Sequence, residues 1–589
     1  MHNRVQRPLV LAGYAIALAA VAGVLAQALT RLIFLVTHLA FFGRFSVAPV
    51  SPSDHHLGIF VVAIPMLGGL IIGLMARYGS KAIRGHGIPE AMEQVLTNQS
   101  RIPPRITFLK PLSAAISIGT GGPFGAEGPI IATGSALGSW LGQVRPMSAI
   151  ERKTLLAAGA AAGMAATFGS PISAILLAVE LLLFEYRARS LVPVALAATV
   201  ATAIHSAFQG SEAVFPMPEL APPSSASLVF YVAMGAVLGL ASIAVTKAIY
   251  FVEDAFENLP ISWVWWPALG GIAVGLVGYV APRTLGVGYT NIEDLVAGRL
   301  ALPAILVLCS FKFVSWAISL GSGTSGGTLA PLLTLGGGLG AILGSLAIAA
   351  APGLGVDVRI AALVGMAALF AGASRALLAS MVFAFEATRQ PHGILPLLGG
   401  CTASFMVSSM FMKNSIMTEK IVRRGVRVLS DYSADHLDQI PLKTWLVGRT
   451  RPVVTLDGDA LLVDVAGAFD GHNHSGFPVI DGAGELIGVL TRRELTPPTN
   501  AETVRVRDRI TRPAIVIYDD CSLRDAADCM AWERIGRLPI VARTNPLQVV
   551  GILTRSDLLE AHIERLEDHR RPAAEPAIVP ETATALPAA

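Results

Sequence analysis

Residues 1 to 426 are one apolar block, and so long a stretch of water-averse chain leaves few folds open. A straight helix needs about 20 apolar residues to cross the hydrocarbon core of a bilayer. Leu9 to Phe42, Leu57 to Tyr78, Leu228 to Val252, Val264 to Val280 and Pro331 to Ala351 read as spans of that kind. Many other apolar stretches are short or broken by Gly and Pro. Such breaks are tolerated at membrane depth only where protein or a water-filled cavity surrounds them. The block therefore predicts an all-α polytopic membrane domain built from many tilted and broken helices. Charged residues are 14% of the chain, against roughly a quarter in soluble domains.

The start of the chain carries Arg4 and Arg7 ahead of the run Leu9 to Phe42. That run is longer than the apolar core of a signal peptide and lacks a cleavage pattern, so it predicts a retained helix with a cytoplasmic start. Cys309 and Cys401 lie in apolar segments, Cys521 and Cys529 in the polar tail, and no metal-ligand spacing joins them. A disulfide framework is not expected, and a cytosolic tail fits this usage. A net charge of +3 makes no case for nucleic acid, and no binding motif for it is present. Nor is there a phosphate loop, a metal site or a nucleophile-plus-base pattern, so an enzyme is not expected.

The block repeats itself. "SIGTGGPFGAEGPIIATGSALG" from Ser117 and "SLGSGTSGGTLAPLLTLGGGLG" from Ser319 lie 202 residues apart, with six Gly and Pro positions in common. "GMAATF" from Gly163 and "GMAALF" from Gly365 keep that offset, and "GHGI" from Gly85 and "GVGY" from Gly286 miss it by one. Three matches in the same order predict two homologous halves, about 1–215 and 226–426. Duplicated halves with broken helices are typical of transporters, whose substrate site lies where the halves meet.

Beyond residue 426 the composition becomes that of a soluble protein. A linker over 427–442 leads to two related units, 443–497 and 505–567, and a Pro- and Ala-rich tail, 568–589, is expected to be disordered. Each unit has a β-rich pair of apolar runs followed by a helix, as in "SGFPVIDGAGELIGVLTRREL" from Ser475 and "IGRLPIVARTNPLQVVGILTRSDL" from Ile535.

Three Gly/Pro breaks each precede a helix: "GHGIPE" (Gly85 to Glu90), "GAEGP" (Gly125 to Pro129) and "GGTLAP" (Gly326 to Pro331). Glycine turns the backbone and leaves N–H groups uncovered, and proline suits the first helical turn. The product is a helix N-terminus with free donors and a positive dipole end, which favours an anion. One such break reads as a kink. Three converging breaks, two of them copies, read as a site for a small anion that needs no fixed cation. Glu127 is the only charge in the second break, and a carboxylate at membrane depth is a functional candidate.

With these breaks, with "AAGAAAGMAATFGSPISAILLAVE" (Ala157 to Glu180) and with its tail, the chain closely resembles the CLC family of chloride channels and chloride/proton exchangers. The tail resembles the CBS-domain pair found on many of those proteins. The resemblance implies an inverted-repeat CLC membrane domain plus a cytosolic α+β CBS pair. It implies a homodimer with one chloride pathway per subunit and both termini cytoplasmic, in a plasma membrane such as a bacterial inner membrane. It places Glu127 as the gating glutamate, a tethered anion that competes with chloride and leaves when protonated or displaced. The N–H groups of Thr328 and Leu329 match those that hold the central anion, and Ala126 and Gly128 flank the outer site.

The departures from the family pattern carry information. His86, beside Gly87, stands where Ser usually offers a hydroxyl to the inner anion; it either donates an N–H there or serves as a cap or solvent-facing residue. Met417, in "KNSIMTEKI", stands where an anion-coordinating Tyr is usual, so both inner hydroxyls are expected to be absent. Leu329 replaces Phe. Ala126 replaces Arg or Lys, with Lys110 expected to make up part of the lost charge. Leu181 stands where exchangers commonly have an internal proton glutamate, and its neighbour Glu180 reads as a structural acid at a helix end. In the tail, Thr554 and Asp557 keep the ribose- and phosphate-binding pattern of CBS domains, while the first copy has Thr491 and Glu494.

These features imply glutamate-gated chloride permeation that is passive or weakly coupled to protons. Strict chloride/proton exchange through Glu127 and water is the alternative, and a nucleotide-sensing transporter of other selectivity, such as fluoride, is a further one. No cofactor is required beyond the permeant chloride and the bilayer. An adenine nucleotide in the CBS pair stays open against a tail that only steadies a dimer.

Overall fold

Each of the eight α-helices of the first half has a counterpart in the second. The helices His2–Thr37, Ala63–Tyr78, Ile88–Thr97, Ile106–Gly119, Glu127–Val144, Ala149–Phe168, Pro171–Ala178 and Ala188–Gln209 recur in the same order. Their copies are Ser225–Glu257, Trp266–Val280, Tyr289–Val296, Leu302–Gly321, Leu329–Ala350, Val358–Ser374, Leu377–Thr388 and Ile394–Phe411. The computed structural model describes residues 2–145, 147–426, 437, 440–447, 453–468, 476–495 and 503–570. It divides into two units, Met1–Tyr432 and Ser433–Ala589.

The relation between the halves is visible in single hydrogen bonds. Gly125 and Gly327, equivalent under the duplication, form an antiparallel bridge. Gly327 N–H donates to the Gly125 carbonyl at 2.9 Å, and Gly125 N–H returns the bond at 3.2 Å. Two copies exchanging the same bond must lie about a local two-fold axis. Further from this point Glu180 accepts from the N–H groups of Leu378 and Ala379, at 3.0 Å each, and caps the Leu377 helix. Glu386 does the same for the Pro171 helix, through Ile172 N–H at 3.0 Å and Ser173 N–H at 2.8 Å. Each half thus caps a helix of the other.

Small residues let these helices approach closely. A methyl group added at Gly134 would overlap the Gly159 carbonyl oxygen, and one at Gly159 would overlap that of Gly134. Gly336 and Gly365 repeat this in the second half. Between apolar helices in a membrane, close backbone contact and small residues supply much of the attraction.

Seven helical stretches among the described residues are long and apolar enough to cross a bilayer: Leu9–Phe42, Gly58–Tyr78, Ala188–Gln209, Ser225–Glu257, Leu302–Gly321, Leu329–Ala350 and Pro391–Phe411. The chain is a membrane-spanning protein. Ala188–Gln209, Leu302–Gly321 and Pro391–Phe411 are not among the spans named from the sequence; His205 and Lys312 fall inside the first two. The expected span Val264 to Val280 shrinks to the 15-residue helix Trp266–Val280.

In the second unit, each CBS copy has a three-stranded sheet with one parallel and one antiparallel pairing. Leu456–Asp457, Gly476–Ile480 and Leu486–Thr491 form the first; Ile517–Tyr518, Arg537–Ala542 and Asn545–Thr554 form the second. Separate small apolar cores lie behind them, around Phe477 and Val479 and around Leu538 and Ile540. Most of the expected linker 427–442 and residues 571–589 of the expected disordered tail lie outside the described residues. Residues 568–570 are not part of that tail, since they end the helix Arg555–Arg570.

Candidate functional site

The three breaks meet at the local two-fold axis. Gly85 N–H donates to the Thr324 carbonyl at 3.3 Å, and Gly326 N–H returns to the Gly85 carbonyl at 3.4 Å. The Gly125–Gly327 bridge ties the second break to the third. Gly87 holds φ at 94° as it starts the Ile88 helix, a conformation that suits glycine. A methyl group there would come within 2.7 Å of the Gly128 carbonyl oxygen. Ala126, Gly87 and Thr328 are the residues at which the Glu127, Ile88 and Leu329 helices begin. The sequence-predicted donors Ala126, Gly128, Thr328 and Leu329 therefore gather in one buried place.

Glu127 lies at this junction and is fully buried. Its carboxylate turns back over Gly125, where any side chain would overlap Oε2. The backbone N–H groups of Glu127 and Ala330 face it. Oε1 accepts a hydrogen bond from the Tyr289 hydroxyl at 2.6 Å, and Oε2 has no side-chain partner in hydrogen-bond geometry. Tyr289 was missed in the sequence, although "GVGY" was seen as an echo of "GHGI". The signal was the phenol at the first helical position, where the other copy has the buried Ile88.

His86 and Met417 are both buried, which overturns the solvent-facing reading of His86. The His86 side chain meets the Ile416 backbone, next to Met417. The Ile416 carbonyl also accepts from the Tyr250 hydroxyl at 2.9 Å. A phenol is therefore close to the Met417 segment after all, but it comes from the Ser225 helix and is committed to a carbonyl. His86 Nδ1 and Thr328 Oγ1 are buried without hydrogen-bond partners. Buried polar atoms are rarely left unpaired in native proteins, and these two belong to the first and third breaks.

Lys110 does not stand in for the charge missing at Ala126. Its ammonium is spent at the first break, donating to the carbonyls of Ile83 at 2.8 Å and Gly85 at 2.7 Å. Lys312, its copy, donates to Thr284 at 3.0 Å and Gly286 at 2.8 Å. The two buried lysines absorb the carbonyls that the breaks leave without helical partners. Leu181 is buried in the helical turn Val179–Leu183, directly after Glu180.

In the second unit both copies close their signature pair on themselves. Thr554 N–H and Oγ1–H donate to Asp557 Oδ2 at 2.7 and 2.6 Å. Thr491 N–H and Oγ1–H donate to Glu494 Oε2, each at 2.7 Å. A cleft of about 220 Å³ opens at the first pair, lined by Thr491, Glu494, Arg512, Arg534 and Arg537. Thr554 and Asp557 do not line it. Burial and neighbouring Arg555 hold the Arg537 guanidinium below its ordinary pKa.

A duplicated membrane domain that gathers helix N-termini around a buried carboxylate is the architecture of an anion-handling membrane protein. Residues 68–409 match the family described as voltage gated chloride channel, and the chain belongs to that family, the CLC proteins of chloride transport. Residues 447–496 and 506–564 match the CBS domain. The chloride channel protein CLC-f of Arabidopsis thaliana is 30% identical over 380 residues, 59% of this chain and 47% of that protein. This chain therefore spans about half the length of that plant relative. The H(+)/Cl(−) exchange transporter ClcA of Vibrio campbellii is 30% identical over 381 residues, 62% of this chain and 80% of that one. A slow cyanobacterial Cl−/H+ antiporter has the same fold, with a TM-score of 0.63 at 23% identity over 71% of this chain and 98% of its own.

Proposed function

We propose that each subunit of a homodimer passes chloride through the junction of the three breaks, with Glu127 as the gate, passively or with weak proton coupling. The observation that carries this is the position of the Glu127 carboxylate among helix N-termini. Those N–H groups bind either the tethered carboxylate or a chloride ion, so the two compete. Protonation weakens the carboxylate as a competitor and frees the site. No fixed cation holds the permeating ion, because Lys110 and Lys312 are committed to carbonyls, and an ion held only by dipoles can leave. Leu181 cannot carry a proton, which favours uncoupled flux. Both termini lie on the cytoplasmic side of the plasma membrane in this reading, as Arg4 and Arg7 suggest.

A second reading, strict exchange, has one observation in its favour. A cavity of about 40 Å³ is lined by Gly87, Glu90, Gln94, Lys110 and Ala132. It has room for water, at about 10–15 Å³ per molecule, beside the Glu90 carboxylate, whose Oε1 lies 3.5 Å from the Lys420 ammonium and whose Oε2 accepts from Gly87 N–H. Water there would relay protons where Leu181 does not. Fluoride as the permeant ion is the remaining reading, since no side-chain hydroxyl from the usual inner positions is present. In the tail, three arginines around one cleft fit the phosphates of an adenine nucleotide, with Thr491 and Glu494 as the neighbouring polar pair.

Liposomes loaded with chloride decide among these. Passive conduction predicts chloride efflux that runs down unless a potassium ionophore removes the voltage, with no uphill proton movement. Proton uptake driven against its gradient by chloride refutes it. Glu127→Gln, which mimics the protonated gate, flattens the pH dependence of flux; an unchanged profile removes Glu127 from the gate. Repeating the efflux with fluoride reads selectivity directly.

A further inference from the structure

We infer that Tyr289 is the side-chain hydroxyl of the anion site: its O–H holds the Glu127 carboxylate in place and passes to the permeating anion when the carboxylate leaves. The inference rests on the gate reading above and adds a ligand from an element outside the three breaks. The hydroxyl lies 2.6 Å from Oε1, a length that suits an O–H donated to a carboxylate. Its ring is held by aromatic neighbours, Phe168 edge-on at 5.8 Å and Phe215 at 6.0 Å, and Phe168 is itself braced by Phe383 at 4.9 Å. The hydroxyl is therefore aimed by packing and does not depend on the carboxylate for its position.

Geometry supports the transfer to an anion. Helix N-termini supply N–H donors from one side of the junction, and Tyr289 faces the same carboxylate from the start of its own helix. Once the carboxylate swings out, that O–H still points at the vacated place, where an unpaired buried donor is costly. A small anion restores the bond. The chain neighbours Gly288 and Thr290 line a surface depression of about 490 Å³, together with Ser51, Asp54, Arg283 and Asn291. Tyr289 thus stands between that depression and the buried carboxylate. The duplication underlines the point: the copy of this position is Ile88, so only one half provides a hydroxyl, and it faces the only half that provides a carboxylate.

The test compares wild type, Glu127→Ala, Tyr289→Phe, Tyr289→Leu and the Glu127→Ala/Tyr289→Phe double variant in chloride-loaded liposomes, with chloride calorimetry on the same full-length proteins. Phenylalanine keeps the ring and removes only the hydroxyl. Tyr289→Phe is expected to raise flux several-fold, because the gate is held less firmly. On the Glu127→Ala background, where no carboxylate remains, it is expected to weaken chloride binding about tenfold, the effect of one hydrogen bond to a charged group. Tyr289→Leu shares both effects if the hydroxyl matters. A phenotype confined to Tyr289→Leu marks a packing role and overturns the inference. If Glu127→Ala is ungated while Tyr289→Phe equals wild type in flux and the double variant binds chloride like Glu127→Ala, the inference alone has failed. If Glu127→Ala behaves as wild type, the gate reading has failed and Tyr289 falls with it.

Discussion

Gly336, Gly337 and Gly338 are consecutive, buried and in the same helix, yet the structure predicts different fates for them when each becomes alanine. At Gly336 the new methyl would overlap the Gly365 carbonyl oxygen and lie 2.8 Å from Leu369 Cβ. Both obstacles belong to the Val358–Ser374 helix and neither can rotate away. At Gly337 the nearest atoms are 3.6 Å distant, the ordinary separation of touching groups. At Gly338 the methyl would overlap Cys309 Sγ, a side-chain atom that can turn aside at some cost. Alanine in place of glycine favours a helix by about 1 kcal/mol wherever the space exists. Forcing a methyl into a filled core costs about 1–3 kcal/mol, with the upper end apt where backbone meets backbone. Gly337→Ala should therefore stabilise by up to about 1 kcal/mol, and Gly336→Ala should destabilise by about 2 kcal/mol net. Gly338→Ala falls between them.

Detergent-solubilised protein heated at a fixed rate and assayed by size-exclusion chromatography gives the order directly. A large membrane protein unfolds irreversibly, so the comparison is of midpoints at one heating rate. Gly337→Ala should melt at or above wild type and Gly336→Ala several degrees below. Gly134→Ala, the equivalent position in the first half, should fall with Gly336→Ala. If Gly336→Ala melts with or above Gly337→Ala, the close helix crossing described here is wrong. The position of Glu127 at the head of the Glu127 helix would then lose its support as well.

Two further outcomes follow from other contacts. Glu180→Ala and Glu386→Ala each strip the acceptor from two N–H groups at a helix start, and each should cost about 1–2 kcal/mol in the same melting assay; Glu180→Gln, which keeps one carbonyl acceptor, should lose less. In the CBS cleft, Arg537→Gln removes one of the three guanidinium groups that line it, so it should weaken ATP, ADP or AMP binding in calorimetry. Nucleotide binding at wild-type strength would take Arg537 out of the cleft's function.

Much of this fold was legible because the hydrophobic effect and the duplication write large, repeated signals. The apolar block, the paired breaks and the change of composition after residue 426 were all visible as pattern. What escaped notice depends on contacts between residues far apart. Leu302–Gly321, not named as a span, carries Lys312 inside it, and only the fold shows that the ammonium is satisfied by two carbonyls. Lys110 was expected to make up part of the charge missing at Ala126, whereas its side chain reaches the break before its own helix. Tyr289 is 162 residues from Glu127, and no local pattern marks a phenol that donates across such a distance.

The duplication also explains why the chemistry is lopsided on a symmetric frame. Four helix starts surround the local axis, at Ile88, Glu127, Tyr289 and Leu329, and backbone geometry makes each a source of N–H donors. A dimeric ancestor of identical halves would have had two matched pairs. Here the Glu127 start bears a carboxylate and its copy Leu329 none; the Tyr289 start bears a hydroxyl and its copy Ile88 none. The frame is conserved by packing: Gly125 with Gly327, Gly134 with Gly159, Glu180 with the Leu377 helix. At two of the four starts the side chains meet, the Tyr289 hydroxyl donating to the Glu127 carboxylate, while Ile88 and Leu329 pack in the apolar core. One half therefore supplies the movable anion and the other the donor that holds it. Exchanging the two, with Leu329→Glu and Glu127→Leu together, would put the carboxylate at an equivalent helix start but away from the Tyr289 hydroxyl. Such a protein should fold like wild type and conduct with a gate that is weakly held.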